Sequence, residues 1–202
     1  LMETRATVLS KVHGTGSSEA LEAELEYLKL LTDQGSRTAA PPRLEDLQAR
    51  LEDIGRRGSP FWFDVRRERV RVLLKLGAGR KALALSEETM AMADLFKLDE
   101  GALVYLRLSH SAALEEAGDY PAAEQVLMQC RRSSNGRIHV TVFNRLIHVL
   151  KRQGDHARAA GLLRERIASD RKLVPAKPTD PVPLLNWVSE FESAAGQHDA
   201  AI

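Results

Sequence analysis

The sequence predicts an all-α solenoid of about five antiparallel helical hairpins, and three observations carry that prediction. Five glycines are each followed, five residues later, by an alanine: Gly35/Ala40, Gly77/Ala82, Gly118/Ala123, Gly154/Ala159 and Gly196/Ala201. Successive glycines lie 42, 41, 36 and 42 residues apart. A recurrence at that period marks a repeat array in which each unit buries its apolar face against its neighbours. Apolar residues also recur at steps of three and four, the period of one helix face. No period-two strand pattern occurs, and Asn135-Gly136 sits as a turn between two helical patterns.

The elements follow in order. Leu21, Leu25, Leu28 and Leu31 stripe a helix from about Ser18 to Asp33. Ser59-Pro60 reads as an N-cap serine with proline in the first turn, where its missing N–H costs nothing. Behind it run Val65, Val72, Leu73 and Leu76. Leu103, Leu106 and Leu114 stripe the segment before Gly118, and Val142, Leu146, Val149 and Leu150 the one before Gly154. Leu184, Val188 and Phe191 do the same behind Asp180-Pro181. Each repeat glycine then supplies a left-handed turn, and the alanine after it lets the second helix approach the first closely. Second helices are expected over Pro42–Ile54, Arg80–Phe96, Pro121–Arg132 and Ala157–Arg171.

Linkers separate helix pairs rather than domains, so residues 1–202 read as a single domain. Ser36–Pro42 and Ser133–Gly136 are turns, and the proline-rich stretch Val174–Pro183 reads as a stiff extended loop. Because the chain starts at Leu1 and stops just after Ala201, inside a repeat, it reads as a fragment of a longer protein.

Composition narrows the function classes. The chain is 44% hydrophobic and 28% charged, enough apolar material for a core. Its 29 basic and 28 acidic residues leave no basic excess of the kind that announces nucleic acid or an anionic membrane. The longest apolar runs, such as Ala102–Leu106, are too short to cross a bilayer. Residues 1–13 lack the continuous apolar segment of a secretory signal.

Chemistry-bearing motifs are absent. His13, His110, His139, His148, His156 and His198 never reach a metal-ligand spacing, so no metal and no cofactor is expected. Cys130, the lone cysteine, is expected to be a small buried hydrophobe rather than a nucleophile. Gly14–Ser18 and Gly77–Lys81 lack the phosphate-loop spacing and read as turns. Phe61-Trp62-Phe63 cannot all face one way on a helix. Packing against the preceding hairpin is the expectation, with one ring left to anchor a partner.

Gly118-Asp119-Tyr120-Pro121-Ala122-Ala123 and Gly154-Asp155-His156-Ala157-Arg158-Ala159 resemble the turn of the tetratricopeptide repeat family. Phe143, Leu146, Leu150, Gly154, Ala159 and Leu163 match one repeat, and Leu114, Gly118, Tyr120, Ala123, Leu127 and Cys130 much of another. The other three units match mainly at glycine and alanine. The spacing exceeds the family's 34 residues, the closing proline is missing, and Leu28, Val70 and Ile147 replace a small residue. The resemblance implies a right-handed superhelix whose first helices line a concave groove. Its groove-facing set is Asp64, Arg67, Glu68 and Arg71, then Tyr105, Ser109, Glu115 and Glu116. Asn144, Arg145, His148, Lys151 and Arg152 follow, then Asn186 and Glu190.

That set implies a non-catalytic protein–protein interaction module that binds a peptide or helix of a protein partner. Candidate contacts are Arg67, Arg71, Asn144, Arg145, His148, Lys151 and Arg152, a basic group suited to an acidic segment. Salt-insensitive binding would point instead to apolar contacts around Trp62 or Trp187. Leu108 and Ala112 stand where a family carboxylate clamp would sit, so chaperone-tail binding is not expected. A structural spacer or homo-oligomerisation segment is the second reading, and the sensor arm of a signalling or transcriptional regulator the third. Neither a nucleic-acid partner nor membrane insertion is expected.

Overall fold

The structure is a computed structural model and describes residues 7–9, 11–12, 14, 16–34, 39–133, 136–173 and 182–199. Among these residues there is no strand. The principal helices are α1 (Ser18–Asp33), α2 (Ala40–Asp53), α3 (Pro60–Lys75), α4 (Gly79–Leu95), α5 (Glu100–Ala117), α6 (Tyr120–Ser133), α7 (Gly136–Gln153), α8 (His156–Leu173) and α9 (Val182–Asp199).

Two compact units divide the chain, Leu1–Ala117 with α1 to α5 and Gly118–Ile202 with α6 to α9. In the first, each helix packs on its successor, and α3 also packs directly on α1 and α5. In the second, α6 packs on α7, α7 on α8 and α8 on α9. Packing of each hairpin on the adjacent one is how a repeat array buries apolar surface.

The turns explain why the repeat signal takes the form it does. Gly77, Gly118 and Gly154 adopt φ of +69°, +82° and +80°, the left-handed region that side chains resist. At Gly77 the helix closes with bonds from its N–H to the Leu74 carbonyl (3.0 Å) and from Ala78 to Leu73 (2.9 Å), a Schellman pattern. Asp119 and Asp155 then cap the next helices, each carboxylate accepting from a backbone N–H three residues on, at 3.1 Å. Such caps are each worth about 1 kcal/mol. So the glycine ends one helix and the aspartate starts the next. Ala40, Ala82, Ala123 and Ala159 are all fully buried, as an alanine at a close helix crossing must be.

Gly196 corrects the expectation. It lies inside α9, not at a turn. Glycine permits a left-handed turn without compelling one, and here Ala194, Ala195 and Gln197 are good helix formers. Gly35 and Ala201, the expected turn at Asn135, and residues 174–181 of the proline-rich loop lie outside the described residues. Pro183, expected in that loop, stands in the first turn of α9.

The core of the first unit gathers Leu21, Leu25 and Leu28 from α1, Leu44, Leu47 and Leu51 from α2, and Trp62, Phe63 and Val65 from α3. Trp62 is 1% exposed, meets Phe63 edge-on at 5.0 Å, and donates its indole N–H to Glu52 Oε1 at 2.9 Å. Phe61 is half-buried against the same cluster. The aromatic triplet therefore serves packing. In the second unit Ile147, Leu150, Leu163, Ile167, Val188 and Phe191 form the core of α7, α8 and α9. Cys130 is fully buried.

Candidate functional site

In the first unit the candidate arginines are engaged within the fold. Arg67 pairs with Asp64 at 2.9 Å, and its guanidinium lies 5.2 Å from the Tyr105 ring centre. Both line a cleft of about 480 Å³ between α3 and α5, with Phe63 and Leu98 among its walls. Arg71 is tied more tightly. Its Nε and Nη2 donate to Glu68 at 2.8 and 2.7 Å, and Nη1 donates to Asp33 at 2.5 Å. Nη2 also reaches the Lys29 carbonyl at 3.3 Å, and Lys75 joins Asp33 at 2.8 Å. Hydrogen bonds from Lys75 and Arg71 lower the Asp33 carboxyl to about 2, and the bond to Glu68 raises Arg71. Since Glu68 is only 5% exposed, Arg71 neutralises a buried carboxylate while joining α3 to α1. That is a structural duty.

The second unit holds a different cleft, of about 500 Å³, lined from three helices. Asn144, Ile147, His148 and Lys151 come from α7, Arg166 from α8, and Trp187, Glu190 and Phe191 from α9. Asn144, His148 and Lys151 follow one another at steps of four and three, so a single helix face carries them. Arg145 and Arg152 lie roughly a quarter turn away, at about 100° per residue. They are not in the cleft lining. Arg145 is half-buried, while Arg152 donates from Nε to the Tyr120 hydroxyl at 2.9 Å and stacks 5.4 Å from that ring. The five candidate contacts on α7 thus divide between two faces.

Ile147 and Phe191 are buried and floor the cleft, whereas Trp187 is 50% exposed beside them. The Lys151 ammonium lies 5.5 Å from the centre of the Phe191 ring, a cation–π arrangement, with no carboxylate paired to it among the described residues. Glu190 likewise has no cation partner among them. Arg166 donates to the Asn144 side-chain oxygen. An apolar floor, an open indole and charges of both signs without ion-pair partners among the described residues suit non-covalent docking of an extended side chain.

Aligning repeats by their glycines finds first helices only, so it misses Arg166 on a second helix. Trp187, Glu190 and Phe191 fall at i, i+3 and i+4, a spacing that already places them on one face of α9. Arg66, unremarked in the sequence, is buried: it donates to Thr89 at 2.9 Å, pairs with Glu88 at 3.0 Å and stacks 4.8 Å from the Trp62 ring. Ser86 and His110 Nδ1 lie 2.9 Å apart. The Ser86 hydroxyl already donates to the Leu83 carbonyl at 2.8 Å, which leaves it to accept from His110 rather than act as an activated nucleophile. No metal-binding group of three His, Cys, Asp or Glu occurs among the described residues, and no helix there is long and apolar enough to cross a membrane. The Asn186 side chain lies outside what is described.

No protein-family model and no curated protein sequence matches the chain. Among solved structures it is similar to the nearly identical TPR-like repeats of a Podosopora anserina protein assigned as a kinesin light chain. Identity is 18%, coverage 90% of this chain and 89% of that one, and the TM-score 0.77. A single-substitution variant of those repeats matches over the same shares of both chains with a TM-score of 0.76. TPR-like folds in general serve as non-catalytic protein-interaction scaffolds. On helix content, turn chemistry and these likenesses together, the chain has a TPR-like helical-repeat fold.

Proposed function

We propose that the chain is a non-catalytic interaction module that docks a segment of a partner protein in the α7–α9 cleft. The segment places an apolar side chain against Trp187 and Phe191 and an acidic one beside Lys151. One observation carries this reading: the Lys151 ammonium is positioned over an aromatic ring with no carboxylate of the described chain paired to it. In the first unit, Arg67 and Arg71 already have such partners. A half-exposed tryptophan next to a desolvated floor is the usual composition of a binding hot spot. The single charge contributes less to affinity than the aromatic contact and more to the choice of partner. Asn144, His148 and Lys151 remain candidate contacts on this reading. Arg67, Arg71 and Arg152 serve the fold first, and Arg145 stands outside the cleft lining.

Peptide-display selection on the chain tests this. The selected peptides are resynthesised and titrated against the native protein, Trp187→Ala and Lys151→Glu, each checked for native helix content. Selected sequences are expected to pair an apolar residue with Asp or Glu. Trp187→Ala should weaken them about tenfold or more and Lys151→Glu about three- to tenfold, with affinity falling as salt rises. Selected peptides without acidic residues, bound equally by all three proteins, would contradict the proposal.

A further inference from the structure

Lys151 explains an acidic residue on the ligand, but the same cleft also contains Glu190, whose carboxylate an acidic ligand would meet as a like charge. Opposite charges lining one cleft would ordinarily pair. Here they do not: Lys151 is placed over the Phe191 ring, and Glu190 has no cation partner among the described residues. Trp187 lies three residues before Glu190 on α9, on the same helix face and half-exposed. An open indole face beside a carboxylate unpaired among the described residues has the components that hold a cationic side chain, by ring quadrupole and by ion pairing together.

We infer that the α9 wall takes a basic side chain, so the ligand is a mixed-charge segment: an apolar anchor with an acidic residue toward Lys151 and a Lys or Arg toward Glu190. This deepens the docking reading and rests on it. The physical consequence is selectivity rather than strength. A segment with two acidic flanks gains one contact and incurs repulsion at the other, so the cleft rejects uniformly acidic segments and fixes the direction in which a mixed one lies.

The test uses three synthetic peptides with one aromatic anchor whose flanks are acid and base, acid and neutral, or acid and acid. They are titrated against the native chain, Glu190→Gln, Glu190→Lys and Lys151→Glu. Binding is read by acrylamide quenching of Trp187, since the other tryptophan, Trp62, is buried. On the native chain the acid-and-base peptide should bind about three- to tenfold more tightly than the acid-and-neutral one. That preference should vanish in Glu190→Gln and turn toward the acid-and-acid peptide in Glu190→Lys. Equal binding of all three peptides to the native chain, with affinity still lost in Lys151→Glu, would overturn this inference and leave the docking reading standing. A preference unmoved by Glu190→Gln would overturn it as well. Failure of every peptide to protect Trp187 would overturn both.

Discussion

The two clefts are close in volume and each takes most of its lining from first helices, yet they treat charge in opposite ways. Between α3 and α5, Arg67 pairs with Asp64 and covers Tyr105, while Arg71 ties Glu68 and Asp33 together. Among α7, α8 and α9, Lys151 and Glu190 line the cleft without an ion-pair partner in the described chain. The difference teaches that a basic residue on the first helix of a hairpin can be spent within the fold. On the docking reading proposed above, what decides is whether a carboxylate on an adjacent turn or an adjacent helix reaches it first.

The tryptophans make the sharpest version of that contrast. Trp62, 1% exposed within a dense core, should cost about 3–5 kcal/mol when changed to alanine, measured by urea unfolding. Trp187→Ala should stay within about 1 kcal/mol of the native stability, because half of its surface is already in water. Equal losses at both sites would break the comparison.

Next in size is Arg71→Ala. It leaves the buried Glu68 carboxylate without its cation, a loss of about 2 kcal/mol. That falls below the roughly 3–5 kcal/mol of a fully buried pair because Arg71 itself is partly solvated. Gly58→Ala should destabilise the same unit by about 1–2 kcal/mol. Its φ is +79°, and an added Cβ would stand 2.3 Å from the Phe96 ring.

The smallest effects are pH-dependent. Burial lowers the His110 pKa, so the unfolded chain binds the proton more readily than the folded one. Stability should therefore decline as pH falls through about 6.5, the ordinary histidine value, and His110→Gln should remove that step from the pH dependence of the melting temperature. Asp33, lowered to about 2, adds stability that is present above its ordinary value of 3.8 and is lost as pH drops toward 2. Because Asp33 is exposed, salt should diminish that second step.

Much of the fold was legible because its signals are local. Gly77, Gly118 and Gly154 and the aspartates after two of them act on adjacent backbone, so a short window of sequence contains the whole mechanism. Gly196 misled because the same residue type is tolerated within a helix whose neighbours favour one. The proposed site was legible only in part. Asn144, His148 and Lys151 share a helix face by spacing alone, but Arg152 is taken by Tyr120, 32 residues earlier in the chain, and Arg71 by Asp33, 38 residues earlier. Such partners are set by packing between helices, which no periodicity within one helix encodes. Glu68, three residues before Arg71, is a partner that helical spacing could have exposed.

The most direct measurement compares Arg71→Ala and Lys151→Ala side by side, recording melting temperature and affinity for a display-selected peptide that carries an acidic residue. On the proposed reading, Arg71→Ala should lower the melting temperature and leave the affinity of the folded protein unchanged. Lys151→Ala should do the reverse, keeping the melting temperature and losing affinity. Loss of affinity in Arg71→Ala with native stability, or loss of stability in Lys151→Ala with native affinity, would contradict the division between cations that build the fold and cations that meet a partner.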